Sequence, residues 1–177
     1  MIAKDLVLVL PCEKYKKQLI EYRDEFLSTS VSIGGAGGLE RYEINEWLET
    51  IEDHRLNRNI GPGRVPSTLY LTIRKKDDRI IGTVDIRHQL NDYLLFAGGH
   101  IGYGVRPSER KKGYGTLQLD LALSKCRSMN LDKVLVTCNK NNIGSAKIIL
   151  NNGGVLENEV VEKDKENNIV SRYWISL

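Results

Sequence analysis

Apolar residues recur along the first third of the chain at the spacings that mark strands and helices. Leu6–Leu10 is a short apolar run, which predicts a strand. Between Glu13 and Leu27, and again from about Tyr42 to Asn57, large apolar residues fall three or four positions apart, which predicts two amphipathic helices. Two glycine-rich stretches break both patterns and are predicted to be loops: Ser32–Gly38 and Gly61–Pro66.

From Ser67 onward the pattern favours strands. Thr68–Arg74 and Arg79–Arg87 are predicted to form a hairpin about a charged turn. Gly99–Val105, Gly113–Asn130 and Lys133–Thr137 follow as strand, helix and strand, a succession that predicts a parallel crossover. The last predicted elements are a helix and then two strands joined by a charged turn: Asn142–Asn152, Val155–Glu162 and Asn168–Leu177.

Length and composition indicate one ordinary globular domain that spans residues 1–177. The chain has 177 residues, of which 41% are hydrophobic and 28% charged. No apolar run approaches the roughly 20 residues of a membrane helix, so the sequence predicts no membrane partner and a cytoplasmic location. The net charge of +3, without interleaved aromatic and basic residues, argues against a nucleic-acid partner.

Residue types that bind metals or form disulfides are scattered rather than grouped. No His, Cys, Asp or Glu cluster has the spacing of metal ligands, so no metal is predicted. The three cysteines lack CxxC spacing. Cys126 and Cys138 lie at apolar positions of predicted elements, so we expect them to be buried thiols.

The most informative stretch, RPSERKKGYGT from Arg106 to Thr116, leaves a predicted strand and enters a predicted helix through a basic loop. A helix N-terminus binds anions because its first backbone N–H groups are unpaired and the helix dipole is positive there. Gly113 and Gly115 would let the backbone approach an anion closely. Three side chains add positive charge: Arg110, Lys111 and Lys112. The stretch therefore predicts a phosphate site.

Two other phosphate-binding motifs fit this stretch poorly. A P-loop requires GxxxxGK followed by Ser or Thr, which the chain lacks. A Rossmann fingerprint requires GxGxxG, and the third glycine is missing after Gly115. No acidic residue ends the next predicted strand, where a ribose-binding carboxylate would be expected.

The chain resembles the GNAT superfamily of N-acetyltransferases, whose pyrophosphate motif Arg/Gln-x-x-Gly-x-Gly/Ala matches Arg110 to Gly115. A second family pattern is matched after the next strand by Asn142, Ser145, Ala146, Ile148 and Gly153. The resemblance covers nearly the whole element order. It implies an α/β (mixed α+β) fold with a mostly antiparallel mixed sheet of about seven strands, a central parallel pair and about four flanking helices. It also implies acetyl-CoA (coenzyme A) as co-substrate.

The resemblance also implies roles for particular residues. Main-chain groups of Tyr103, Gly104 and Val105 would pair with the pantetheine arm. The pyrophosphate would be held by the loop and the start of the helix: Arg110, Lys111, Lys112, Gly113, Tyr114, Gly115 and Thr116. Asn142 would reach the pantetheine or pyrophosphate portion. Many relatives have a Tyr that protonates the leaving thiolate where this chain has Ile149, so the proton donor is open.

Candidates for the base that takes the proton of the amine lie on strands predicted to face the thioester. His100 begins the motif strand, where relatives often place a base, and the usual pKa of histidine suits this task. Asp85 is a second candidate base, or an anion that binds the acceptor. His54 lies on a polar helix face and receives little weight, and Glu109 is expected to stay in solvent.

The acceptor is the part of the function that the sequence leaves open. In this superfamily the first two helices and their loops line the acceptor site, so the two glycine-rich loops are expected to cover a small substrate. The sequence does not distinguish an amine on a small molecule from one on a protein, nor a monomer from a homodimer. The rival functions are a non-catalytic acyl-CoA-binding or regulatory module and a nucleotide-binding protein that uses the same phosphate site.

Overall fold

The computed structural model describes residues 5–29, 31–162 and 168–177. Within these ranges the chain forms seven strands and four α-helices. In chain order they are β1 (Leu6–Val9), α1 (Lys16–Leu27), α2 (Ile44–Arg55), β2 (Ser67–Arg74), β3 (Arg79–Arg87), β4 (Ile101–Val105), α3 (Tyr114–Ser128), β5 (Lys133–Asn139), α4 (Ile143–Asn151), β6 (Val155–Val161) and β7 (Ile169–Ser176). Short 3-10 turns lie at Glu13–Tyr15 and Pro107–Glu109, and a π-helical turn lies at Leu94–Gly98.

The strands form two antiparallel sheets. The first has the order β1-β2-β3-β4, and the second has the order β5-β7-β6. The predicted mixed α+β fold, with about seven strands and four flanking helices, is confirmed. The charged turn predicted between the last two strands falls on residues 163–167, which lie outside the described residues.

The central pair, β4 and β5, meets at one end only. The main-chain N–H of His100 donates to the Leu135 carbonyl at 2.7 Å, and the Nδ1 atom of the His100 ring accepts from the Leu135 N–H at 2.9 Å. Beyond this junction β4 is bonded to β3 but not to β5, so it is an edge strand of the first sheet. The predicted parallel pairing is therefore reduced to a junction at the start of β4.

The side chains of β3 separate two cores because successive residues of a strand point to opposite faces of the sheet. Val84 and Ile86 join the core formed with α3, α4 and the second sheet. The other core lies beneath α1 and α2 and contains Leu69, Leu71 and Trp47, among others. Asp85 lies on the α1–α2 side of the sheet, and this places a carboxylate beside that second core.

The glycine-rich loop after α1 is packed directly on the backbone of β4. A Cβ at Gly34 would lie 2.4 Å from the Tyr103 carbonyl oxygen, and one at Gly35 would lie 2.2 Å from that of Gly102. The Thr83 hydroxyl donates to the Gly34 carbonyl at 3.0 Å. The glycines are thus required for a close approach of two backbones, and the loop forms a fixed wall over β4.

Candidate active site

The predicted phosphate site has the geometry of an anion cradle, defined here as Arg106–Thr116. Lys111 and Gly113 have left-handed backbone angles, with φ of 61° and 82°, and α3 begins at the next residue, Tyr114. The first N–H groups of a helix have no acceptor inside it, and here the N–H of Leu117 bonds back to Gly113 at 3.4 Å. A Cβ at Gly113 would meet no atom within 4 Å, so the backbone there is open to a ligand.

A buried carboxylate fixes the cradle from below. Glu109 accepts from Arg74 Nη1 at 3.0 Å and from Lys112 Nζ at 2.9 Å. Burial alone would raise the pKa of Glu109, but the hydrogen bonds and charges of Lys112 and Arg74 outweigh it and lower this pKa. The expectation that Glu109 stays in solvent is wrong, because its exposed fraction is only 5%.

Two of the three basic side chains from Arg110 to Lys112 also bind backbone carbonyls in or next to the cradle. Arg110 Nε donates to the Val105 carbonyl at 3.0 Å, and Lys112 Nζ donates to the Ser108 carbonyl at 3.0 Å. Lys111 is exposed. The cradle therefore presents backbone N–H groups to a ligand, with cationic side chains around them.

Gly115 has a packing role that the motif alone does not reveal. A Cβ at this position would lie 2.5 Å from the Ile148 Cδ1 atom of α4, so the glycine allows α3 and α4 to pack closely. Gly113, in contrast, has open space where a Cβ would lie. Asn142 caps α4, where its side-chain oxygen accepts from the Ser145 N–H at 3.0 Å. The cap uses the side-chain oxygen of Asn142 and not its amide nitrogen.

A pair of hydroxyl groups lies between β4 and the first turn of α4. Tyr103 Oη is 2.8 Å from Ser145 Oγ, and burial raises the pKa of Tyr103. Burial also raises the pKa of Cys138, which is close to the same pair. Ile149 is fully buried in the core. The family motif indicates a role only for the main chain of Tyr103, and no sequence pattern predicts this hydroxyl pair.

A polar cavity of about 650 Å³ lies on the other face of β3. Its walls come from the loop after α1, from α2, from the loop before β2, from β3 and from the segment that begins the π-helical turn. We call it the acceptor cavity. Its lining includes one histidine, His54, and five charged residues: Glu40, Arg41, Arg64, Asp85 and Arg87.

Asp85 and Arg87 stand together on the β3 wall of the acceptor cavity. Arg87 Nε lies 3.6 Å from Asp85 Oδ2, and Arg87 Nη1 donates to the carbonyls of Gly98 and Gly99, each at 3.1 Å. The guanidinium is thus fixed to the backbone just before β4. It holds the Asp85 carboxylate beside the strand whose edge is open.

His54 is a lining residue that sequence reasoning set aside. Burial is the largest cause that lowers its pKa, the positive charge of Arg64 lowers it further, and Asp85 and Asp53 oppose the shift. Its polar helix face gave no signal of a site, because the cavity forms only when α2 packs over β3. His54 is therefore a neutral imidazole near Asp85 at pH 7.

His100 lies at the β4–β5 junction and does not line the acceptor cavity. Its Nδ1 accepts from the Leu135 N–H at 2.9 Å, and burial lowers its pKa. A neutral histidine whose Nδ1 accepts a hydrogen bond carries its proton on Nε2, so it has no lone pair left for a second proton. This geometry favours a structural role and argues against His100 as the base, and the sequence-based assignment stays a prediction.

The free cysteines and the potential metal ligands can be placed within the described ranges. Cys126 and Cys138 are buried, as predicted, and Cys12 is exposed. Over residues 5–29, 31–162 and 168–177, no three His, Cys, Asp or Glu side chains are grouped to hold a metal ion. In the same ranges no helix has the length and apolar character to cross a membrane.

An anion cradle at the end of an open edge strand, with a polar cavity one strand away, defines a class of protein that binds a phosphate-bearing cofactor next to a separate acceptor. The family model for the acetyltransferase (GNAT) domain matches residues 18–155. The chain therefore belongs to the GNAT acetyltransferase family and is an acetyl-CoA-dependent N-acetyltransferase. The resemblance inferred from the motif is confirmed.

Solved structures with the same fold come from acetyltransferases with different acceptors. A ribosomal L7/L12 α-N-protein acetyltransferase in complex with coenzyme A is 15% identical with a TM-score of 0.73, over 100% of this chain and 97% of that chain. The ribosomal-protein-S5-alanine acetyltransferase of Vibrio fischeri is 16% identical with a TM-score of 0.70, over 97% and 93%. Mutant forms of the spermidine/spermine N-acetyltransferase of Vibrio cholerae are 18% identical with a TM-score of 0.67, over 98% and 94%. No curated protein matches the sequence.

Proposed function

We propose that this chain moves the acetyl group of acetyl-CoA to a primary amine held in the acceptor cavity. The observation that carries the proposal is the register of β3 and β4, in which Asp85 is paired with Gly102. The cradle follows Val105, three residues further along β4, which corresponds to about 10 Å of strand. The two sites are therefore neighbours along one open edge, separated by a length that an extended cofactor arm can span.

Residues on both sides of the open edge fit coenzyme A. Backbone N–H groups from Arg110 to Thr116 would hold the pyrophosphate, with Lys111 and the other cations around it. The main chain of Tyr103, Gly104 and Val105 would pair with the pantetheine arm, since β4 has no neighbouring strand there. Asn142 would donate its amide N–H to the cofactor. When bound, acetyl-CoA supplies an acetyl group activated as a thioester.

Asp85 is the base that the geometry supports best. As the amine nitrogen forms its bond to the acetyl carbon, it must lose a proton, and Asp85 would accept that proton directly or through a water molecule. His54 is the second candidate, because its lowered pKa keeps its imidazole neutral in the same cavity. Arg87 fixes the position of Asp85 through the contact at 3.6 Å.

The Tyr103–Ser145 pair would supply the proton that the leaving thiolate needs. Ser145 lies in the first turn of α4, and Tyr103 lies on the strand that would pair with the cofactor arm. The raised pKa of Tyr103 keeps its phenol protonated. Replacement of Ser145 by Ala should lower kcat, whereas Ser124→Ala on the exposed side of α3 should not.

The proposed function is tested by the release of free thiol from acetyl-CoA in the presence of primary amines. The assay should show amine-dependent release, and mass spectrometry should show a gain of one acetyl group on the amine. Tight binding of acetyl-CoA without transfer to any amine would instead support the rival function of an acyl-CoA-binding or regulatory module.

A further inference from the structure

The acceptor cavity carries an excess of positive charge. Three guanidinium groups and two carboxylates line it, so one positive charge remains in excess. His54 also lines the cavity, and because its pKa is lowered, it adds no charge at pH 7. A cavity that holds several ammonium groups would need an excess of negative charge instead.

The three arginines of the cavity are not equivalent. Arg87 is held by Asp85 and two backbone carbonyls. Arg41 Nε lies 3.5 Å from Glu40 Oε1. Arg64, an exposed residue in the loop before β2, forms no ion pair within 4 Å with any residue in the part of the chain that the structure describes. It is therefore the cavity's unmatched cation.

The second carboxylate of the cavity has hydrogen-bonding capacity left over. Glu40 Oε2 is a buried atom without a hydrogen-bond partner among the described residues, and Glu40 lines the cavity. A buried carboxylate oxygen is costly unless a donor reaches it. An acceptor with an N–H or O–H group beside its anionic end would satisfy this oxygen.

We propose that the acceptor is a primary amine that also carries an anionic group, either carboxylate or phosphate. Its amine faces Asp85 and its anionic group faces Arg64, whose planar guanidinium can bind either anion through two parallel hydrogen bonds. The proposal rests on the acetyltransferase function above and names the class of its acceptor. A cavity of about 650 Å³ has room for an amino acid or for the first residues of a peptide.

A matched set of amines at saturating acetyl-CoA tests this inference. Propylamine carries no second charge, β-alanine adds a carboxylate, O-phosphoethanolamine adds a phosphate, and spermidine adds further ammonium groups. We expect kcat/KM for the two anionic amines to exceed that for spermidine by about tenfold or more. A comparison of free aspartate with an aspartyl dipeptide then shows whether the natural source is a free amine or a peptide N-terminus.

The variant Arg64→Ala ties the preference to the unmatched arginine. It should lower kcat/KM for β-alanine and O-phosphoethanolamine about two- to fivefold, the effect of one exposed ion pair, and leave propylamine nearly unchanged. The control is Arg58→Ala, which removes an arginine paired with Asp53 at 3.0 Å and outside the cavity lining. Arg58→Ala should leave kcat/KM unchanged both for the anionic amines and for propylamine.

Three results would overturn the inference, and they separate it from the proposed function. Preferred transfer to spermidine, or an equal loss for all amines in Arg64→Ala, refutes the anionic acceptor but leaves the acetyltransferase function standing. A lack of transfer to every amine, with acetyl-CoA bound, refutes the proposed function and the inference with it.

Discussion

The cradle and the acceptor cavity are constructed in opposite ways. The cradle is one continuous segment, and its proposed ligand-binding groups are backbone N–H groups at the start of α3. The acceptor cavity gathers residues from five separate segments, from Ser32 to the π-helical turn. A site made of contiguous backbone can therefore be recognised from a motif in the sequence, whereas a site made of distant side chains has no such motif.

Replacement of Asp85 by Asn should give the largest effect on the cavity side. It removes the proposed base but keeps the shape of the side chain, so kcat should fall by about 10²- to 10⁴-fold. The affinity for acetyl-CoA should stay within about twofold, because the cradle is three residues away along β4. Steady-state kinetics and calorimetric titration measure the two quantities.

The matched control for this prediction is Asp92→Asn, an exposed carboxylate on the loop after β3. Near-wild-type turnover of Asp85→Asn would mean that His54 or a water molecule, and not Asp85, acts as the base.

Glu109→Gln probes the support of the cradle. The variant removes the carboxylate partner of the buried Arg74, which keeps Asp77 as a second partner at 2.7 Å. We expect the free energy of unfolding at pH 7 to fall by about 3 kcal/mol, at the low end for a broken buried pair. Urea denaturation measures it, and Glu21→Gln on the exposed face of α1 is the control.

The same variant has a defined pH dependence. The pKa of Glu109 is lowered in the folded state, so its contribution to stability is present above the unfolded pKa of about 4.3 and is lost as the pH falls through the folded pKa. The difference between wild type and Glu109→Gln should therefore shrink below about pH 4. A difference that persists unchanged at lower pH would contradict this account of the cradle.

His100→Ala should change stability more than turnover. It leaves the buried Leu135 N–H without its acceptor, which should cost about 1–3 kcal/mol of unfolding free energy. Because the folded pKa of His100 is lowered, wild type should also lose stability as the pH falls below about 6.5, and the variant should lack that loss. If His100 is the base after all, kcat/KM will instead fall at least 10²-fold and lose an acidic limb near pH 6.5.

Most of the fold and the cradle could be predicted from the sequence, for physical reasons. Helices and strands are predicted from the periodic spacing of apolar residues, and the cradle is predicted from a motif confined to Arg110–Gly115. Both signals depend only on residues that are close together in the sequence. Features that depend on tertiary packing could not be predicted. Glu109 is buried only because Arg74 reaches it from β2, and Gly115 packs against Ile148 of α4.

The acceptor side shows the same limit. His54 becomes a cavity residue only when α2 packs over β3, so its polar helix position carried no signal. The glycine-rich Ser32–Gly38 loop is predicted only as a loop that covers a substrate, and its close packing against the backbone of β4 becomes evident only in the structure. The position of His100 at the start of β4 also did not indicate that it bonds to β5 at the junction of the two strands.

The central claim, that the cradle and not the cavity binds the cofactor, is tested most directly by calorimetric titration of acetyl-CoA into three proteins. Asp and Asn both tolerate the left-handed backbone of Gly113, so Gly113→Asp and Gly113→Asn differ only by a negative charge beside the pyrophosphate. The account predicts a micromolar Kd for wild type, a Kd within about tenfold for Gly113→Asn, and no measurable binding for Gly113→Asp. Equal affinities for the two variants, or no binding by wild type, would contradict it.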